Sequence, residues 1–299
     1  MSISLDSVES LQTQLESVDY FADSALTTAI YLSLKLGKPL LLEGEVGVGK
    51  TELAKALTKL SGRRLIRLQC YEGIDANQAI YEWDYAKQLM FIRAYASDQG
   101  NKIAFENLYS DDFLQVRPLL EALRSPDPVV LLIDEVDRAD DEFEAFLLEF
   151  LSDFQVSIPE LGTITSKTRP VVILTSNRTR ELHDALKRRC LYSWIGFPAA
   201  SLEVDIITRK LPNIGHDLVT KVVSAVNKIR TMDLAKVPGV AEAIDWAESL
   251  DAVANGELSK ESAMATIGAV NSDLIGLWRI DLMFSKDAMK LYRKSVGSR

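Results

Sequence analysis

This sequence predicts an α/β fold, a parallel sheet flanked by helices, followed by a smaller all-helical domain. Three observations carry that expectation. Apolar runs of buried-strand type, Pro39-Leu-Leu-Leu-Glu43, Pro128-Val-Val-Leu-Leu-Ile133 and Val171-Val-Ile-Leu-Thr175, alternate with segments whose apolar residues recur at helical spacing. Parallel strands joined by helical crossovers read in this way. A glycine-rich stretch joins the first run to the helix after it, and beyond Pro198 the strand signals stop while helical patterns continue. The two domains are therefore expected over residues 1–198 and 199–299.

Taken in order, residues 6–36 read as helix in two halves about Tyr20-Phe21-Ala22, with Leu11, Leu15 and Val18 on one apolar face, Ala25, Ile30, Leu32, Leu34 and Leu36 on the next, and Gly37 as the stop. After strand 39–43 and its glycines, Leu53, Ala54, Leu57 and Leu60 repeat at helical spacing with Glu52, Lys55 and Lys59 between them. Residues 64–69 form a short strand. Residues 72–116 lack a clean period and are rich in aromatics, Tyr81, Trp83, Tyr85, Phe91, Tyr95, Phe105, Tyr109 and Phe113 among them. They read as an insertion whose aromatics either pack its own core or face a partner. A short helix over 118–124, a strand over 129–133 and an amphipathic helix over 141–152 follow. Alternation around Pro159 and Gly162 predicts a β-hairpin over 154–170. Strand 171–175, a helix over 179–190 and a short strand near Tyr192–Phe197 complete the first domain. The second reads as helices over 201–211, 216–231, 240–254, 258–268 and 273–294, punctuated by Pro212, Gly215, Pro238-Gly239, Gly256 and Gly268.

At 299 residues, 47% hydrophobic and 26% charged, the chain is built for packed domains. No apolar run nears the ~20 residues of a membrane-spanning helix. The start, Met1-Ser-Ile-Ser-Leu-Asp6, has neither the basic nor the apolar region of a secretion signal. Cys70 and Cys190 are far apart and without metal-ligand spacing, and His183 and His216 are solitary. Such thiols fit a reducing compartment, so the expected location is cytoplasmic. The net charge of −9 falls on residues 1–198, because 199–299 carry 13 basic and 13 acidic residues. An acidic first domain disfavours broad nucleic-acid binding.

The glycine stretch is Gly44-Glu45-Val46-Gly47-Val48-Gly49-Lys50-Thr51, the pattern G-x-x-x-x-G-K-[ST] between a strand and a helix. Each residue type answers a need of a bound triphosphate. The three glycines let the backbone curl so that N–H groups point inward. Lys50 reaches the outer phosphates, Thr51 offers a hydroxyl to Mg²⁺, and the helix starting near Lys50, with Glu52 in its first turn, turns its positive end toward the anion. Asp134-Glu135 ends the apolar strand 84 residues after Lys50. Asp134 there can hold Mg²⁺ through its water shell, and Glu135 can polarise a water for in-line attack on the γ-phosphorus, which favours ATP hydrolysis over phosphoryl transfer to another substrate. At the end of strand 171–175, Asn177 can position that water or touch the γ-phosphate, although asparagine also ends strands for turn reasons. Arg188-Arg189 either caps a helix C-terminus or supplies an arginine finger across a subunit interface.

Together these elements resemble the AAA+ ATPases: Walker A at Gly44–Thr51, Walker B at Leu131–Glu135, sensor 1 at Asn177, an arginine pair after Leu186 and a C-terminal helical lid. Leu41–Glu52 with Asp134-Glu-Val-Asp-Arg-Ala139 is similar to the MoxR family, whose extra insertion and β-hairpin have candidates in 72–116 and 154–170. Leu68–Asp75, Tyr81–Tyr85, Pro238–Glu242 and Ile244–Ala247 are similar to its CoxD-like branch. The resemblance covers about residues 20–255 and leaves 258–299 without a usable motif. It implies ATP and Mg²⁺ as ligands, a homo-oligomer in the form of a hexameric ring, and a client protein. That client would be a metalloenzyme precursor of the molybdenum hydroxylase and carbon monoxide dehydrogenase type, with a von Willebrand A-domain protein as partner. It further implies phosphate and Mg²⁺ binding by Lys50 and Thr51, Mg²⁺ binding by Asp134, Glu135 as base, and Arg189 as finger with Arg188 as the fallback. The chain departs from the family where many relatives carry a sensor-2 arginine: that frame holds Ala241-Glu242, with no basic residue from Pro238 through Leu250. An ATP-gated scaffold with slow hydrolysis and a DNA-associated motor are the alternative readings, the latter disfavoured by the acidic charge.

Overall fold

The structure, a computed structural model, describes residues 3–96, 108–232, 237–254 and 258–269. The N-terminal helical stretch is broken where the sequence places the break. Helix α1 (Val8–Glu16) starts behind Ser7, whose side chain accepts the Ser10 N–H, and α2 (Ser24–Leu36) starts behind Asp23, which accepts the Leu26 N–H. Gly37, left-handed at φ 63°, ends α2.

Five strands form the central sheet: β1 (Leu40–Gly44), β2 (Leu65–Gln69), β5 (Val130–Asp134), β8 (Val171–Ser176) and β9 (Leu191–Ile195). Their order is β2-β5-β8-β1-β9, and the β2–β5, β5–β8 and β8–β1 pairs are parallel. The expected parallel α/β sheet is therefore present. Strands β1 and β5 are buried along their whole length, which explains their unbroken apolar runs. Because the strands run parallel, Gln69, Asp134, Thr175 and Glu43 emerge at the same, carboxyl, edge, and ligands of open α/β sheets gather there. Helices α3 (Lys50–Ser61), α6 (Pro118–Arg124) and α7 (Asp141–Asp153) supply the crossovers.

The insertion resolves into short elements: α4 (Ala76–Ile80), β3 (Tyr81–Trp83), α5 (Tyr85–Ala96) and β4 (Leu114–Val116), the last pairing antiparallel with β3. Trp83 and Phe113 are buried, and Trp83 meets Tyr109 edge-on at 5.1 Å, so the core reading holds for these aromatics. Tyr85, in contrast, is exposed; Phe105 lies outside the described residues. The predicted hairpin is β6 (Gln155–Ile158) and β7 (Gly162–Thr165), turned at Gly162 with φ 78°.

One helix is shorter than its pattern. Residues 179–190 carry a helical period, but α8 spans only Asp184–Arg189. Thr179 donates its N–H and its hydroxyl to Asp137 at 2.8 and 2.7 Å, and Arg180 Nε donates to the Ala139 carbonyl at 2.9 Å. Those contacts hold residues 179–180 in a loop.

The chain divides into two compact units, one of Met1–Glu43 with Lys50–Trp194, the other of Gly44–Gly49 with the chain from Ile195 onward. In the second, α9 (Ala200–Lys210), α10 (His216–Arg230), α11 (Val240–Ala254) and α12 (Lys260–Thr266) pack around Trp246, whose indole N–H donates to Thr266 Oγ1 at 2.8 Å. The Arg230 side chain is largely covered in this unit, at 7% exposure. Its guanidinium makes two 2.7 Å bonds to the buried Glu203, stacks on Phe197 at 4.2 Å and donates through Nε to the Pro238 carbonyl at 2.9 Å. The helix expected over 273–294 lies outside the described residues. Among those described, no helix is long and apolar enough to cross a membrane.

Candidate functional site

At the carboxyl edge of the sheet, Asp134 closes strand β5 and is buried, at 3% exposure. A buried carboxylate needs partners, and it has three. The Thr51 hydroxyl lies 3.1 Å from its Oδ1, Thr175 Oγ1 donates to Oδ1 at 2.5 Å, and Arg67 Nη2 donates to Oδ2 at 2.5 Å. Thr51 sits in the first turn of α3, so this helix and β5 bring together two residues far apart in sequence. Their oxygens are the hard donors that Mg²⁺ takes, with phosphate and water filling the rest of its shell, and the residues fit the ion.

Glu135 follows in the left-handed conformation, φ 54° and ψ 50°. A non-glycine residue there is strained and persists only where neighbours hold it. The hold is visible: its backbone N–H donates to Thr175 Oγ1 at 2.9 Å, and its carboxylate pairs with Arg138 at 2.9 Å. Thr175 thus touches both acidic residues at once. Asn177 is positioned from behind as well. Its N–H donates to Asp137 Oδ1 at 3.1 Å, and the same buried carboxylate takes the two bonds from Thr179. Arg178, at φ 55°, is a second left-handed residue beside it. Its guanidinium lies 3.8 Å from Glu43 and over the Trp194 ring at 5.6 Å.

The structure therefore brings Thr51, Asp134 and Glu135 into one hydrogen-bonded group, with Asn177 braced on the adjacent loop. Lys50 is buried at the start of α3, and Glu52 in the same first turn pairs with Lys55 at 2.6 Å. Arg188 and Arg189 are exposed on the last turn of α8, anchored by the buried Leu186. Sequence reasoning missed Arg67, Asp137 and Thr175. Only a hydroxyl closing an apolar run marked Thr175; Asp137 stood inside the stretch Asp134–Ala139 without a role of its own, and nothing in the pattern marked Arg67.

Of the glycine loop itself, Gly47 and Gly49 take φ 78° and 94°, conformations open to glycine. Gly44 is needed for space: a Cβ there would sit 2.1 Å from the Ile195 carbonyl oxygen. Glu45 and Val46 are exposed, and Val48 is partly buried. The first turn of α11 lies against this loop, with the Val240 N–H donating to the Gly47 carbonyl at 3.0 Å.

The acidic group sets up a field that a neighbouring thiol registers. Burial first, and then the charges of Asp134, Asp137 and Glu135, push the Cys70 thiol up to about 12. Burial alone does the same at Cys190, and both cysteines are free.

Residues 39–190 match the family model described as an AAA domain of the dynein-related subfamily. The match begins with strand β1 and ends just after α8, so it takes in the glycine loop, Asp134-Glu135, Asn177 and both arginines.

Proposed function

The chain belongs to the dynein-related subfamily of AAA domains, and from that premise we propose that it is a MoxR-type AAA+ ATPase that hydrolyses ATP at subunit interfaces to remodel a client protein. AAA domains bind and hydrolyse ATP, so the coarse activity comes with the family. The single observation that supports the detailed reading is the group formed by Thr51, Asp134, Thr175 and Glu135.

In this reading the loop Gly44–Gly49, with Lys50 and Glu52 at the start of α3, binds the phosphates. Thr51 and Asp134 hold Mg²⁺, which when bound neutralises charge on the outer phosphates. Glu135, held in its left-handed conformation, takes a proton from the attacking water. Asn177 aligns that water, and the Asp137 brace fixes the loop it sits on. Arg189, with Arg188 as the fallback, reaches a neighbouring subunit's site from an exposed helix end. The chain would then be weakly active alone and fully active as a homo-oligomeric ring of six.

The branch reading is finer. The segments Leu68–Asp75, Tyr81–Tyr85, Pro238–Glu242 and Ile244–Ala247 support a CoxD-like chain that matures a molybdenum hydroxylase of the carbon monoxide dehydrogenase type beside a von Willebrand A-domain partner, in the cytoplasm. A second reading, an ATP-gated scaffold for that partner with slow hydrolysis, is favoured by one observation: the first turn of α11 carries Glu242 and no base. Phosphate release with ATP and Mg²⁺, with and without the partner, separates the two. The motor reading expects Glu135→Gln to bind ATP without turnover and without client remodelling. Partner capture by that variant in ATP, with wild-type turnover unchanged by client, would favour the scaffold.

A further inference from the structure

We propose that Arg67 competes with Mg²⁺ for the Asp134 carboxylate, so that the ion displaces it on binding and the metal-dependent part of nucleotide affinity is weakened. The inference rests on the reading of Thr51 and Asp134 as the Mg²⁺-holding pair and adds to it a residue outside the motifs. Every side chain involved belongs to the first compact unit.

The placement of Arg67 is built by the sheet. Strand β2 stands at one end of the strand order, and its Ile66 and Leu68 enter the core. Arg67 and Gln69 alternate with them and share the other, exposed face. Register pairs Gln69 with Asp134. Arg67 therefore starts two residues, about 6.6 Å, back along the strand, a gap that a long side chain closes and a short one does not. Its Nη2 donates to Asp134 Oδ2 and to Gln69 Oε1, both at 2.5 Å. Gln69 thus fixes the guanidinium on its way to the carboxylate.

The two partners of this ion pair are unequal. The Asp134 side chain is 4% exposed and that of Arg67 is 52% exposed. Ion pairs between two exposed groups contribute little. Here one member is a buried carboxylate, whose charge needs compensation. The other can return to water without burying a charge of its own. A fixed acid with a retractable cation suits exchange. The oxygens are divided accordingly. Oδ1 takes the hydroxyls of Thr175 and Thr51 at 2.5 and 3.1 Å, whereas Oδ2 takes Arg67, with the Thr51 hydroxyl 3.4 Å away. Arg67 thus sits on the carboxylate that Mg²⁺ shares with Thr51. Two cations on one carboxylate repel each other. With the guanidinium half in water, that repulsion changes a binding constant by about tenfold, well below what the same pair would give if fully buried. Arg67 compensates Asp134 when the metal is gone and favours loss of the metal with its nucleotide.

The test uses the full chain and measures displacement of a fluorescent ADP by ADP, once in excess Mg²⁺ and once in excess EDTA. Arg67→Gln is expected to tighten ADP about tenfold in Mg²⁺ and to leave it unchanged or weaker in EDTA. Thermal melts supply a second readout. In EDTA the variant should melt below wild type, because Asp134 loses its counter-ion, and Mg²⁺ with ADP should raise its melt by more than they raise that of wild type. Arg67→Met, close in length and uncharged, should repeat the pattern and serves if the glutamine variant does not fold. A folded variant that binds ADP no more tightly than wild type in Mg²⁺ overturns the inference and leaves the phosphate-loop reading standing. Weaker binding in both conditions overturns it as well, by making Arg67 a phosphate contact. Wild-type chain that binds ADP in neither condition overturns the reading of the site, and the inference falls with it.

Discussion

Replacing Thr175 with valine probes how the two acidic residues are held. The side chain is 1% exposed and its hydroxyl does two things: it donates to Asp134 Oδ1 at 2.5 Å and accepts the Glu135 N–H at 2.9 Å. Valine matches its shape but offers neither bond. A hydrogen bond to a charged group contributes about 1.5–3 kcal/mol, and a buried N–H left without a partner costs about 1–3 kcal/mol. Asp134 keeps its Arg67 and Thr51 contacts, which limits the first loss. The expected net destabilisation is about 2–4 kcal/mol. For a unit of this size that lowers the melting transition by roughly 4–15 °C. The left-handed Glu135 should also relax toward a commoner conformation, because a strain of about 1–3 kcal/mol is no longer held by that bond. ATP turnover should then fall by about tenfold or more, while Thr175→Ser, which keeps the hydroxyl, stays near wild type in both readouts. The assays are a thermal melt followed by circular dichroism and steady-state phosphate release. A valine variant that melts within about 2 °C of wild type and turns over at the same rate would refute the hub reasoning.

The remaining predictions concern charge and burial. Cys70 and Cys190 have ordinary values of 9.0 raised to about 12 in the folded chain, so the unfolded thiols ionise first. Their contribution to stability is intact below pH 9.0 and is lost as pH rises from there toward 12. Each thiol removes about 1.4 kcal/mol per pH unit in that window. Alkylation followed by mass spectrometry should find both cysteines unreactive at pH 8 in native chain and reactive in denaturant. Replacing Glu203 by alanine leaves Arg230 buried without its carboxylate, which should cost about 3–5 kcal/mol of the second unit's stability. Urea denaturation with Trp246 fluorescence reads it. Gly44→Ala places a methyl 2.1 Å from a backbone oxygen and should prevent proper folding of the strand end; expression and proteolysis resistance check it.

Much of this architecture is written in local pattern. Leu40, Leu41 and Leu42 are apolar because both faces of β1 are covered, and the same holds for Val130 through Ile133. Asp134-Glu135 and the glycine loop are legible because the chemistry demands those residue types at fixed spacing. Contacts made through space are not legible in that way. Thr179 and Arg180 fit the period of the helix that follows, but Asp137, 42 residues before Thr179, holds them in a loop. The elements of the insertion are three to twelve residues long, and most are too short to show a period. Arg67 reads as an ordinary strand residue until register sets it two positions before Gln69, which pairs with Asp134. Glu242 is visible in sequence only as a missing arginine; the fold of its own unit puts its carboxylate against Gly47.

Mixing Glu135→Gln chain with Arg189→Ala chain tests the central claim most directly. Each variant alone should release phosphate at a small fraction of the wild-type rate. In an equal mixture, an Arg189→Ala subunit keeps its own Glu135 and receives Arg189 from a Glu135→Gln neighbour. With random assembly in a closed ring, about a quarter of interfaces are then complete, and the mixture should recover about that share of wild-type turnover. A mixture as inactive as its two components, under conditions where both assemble, would contradict a site completed by the neighbouring subunit.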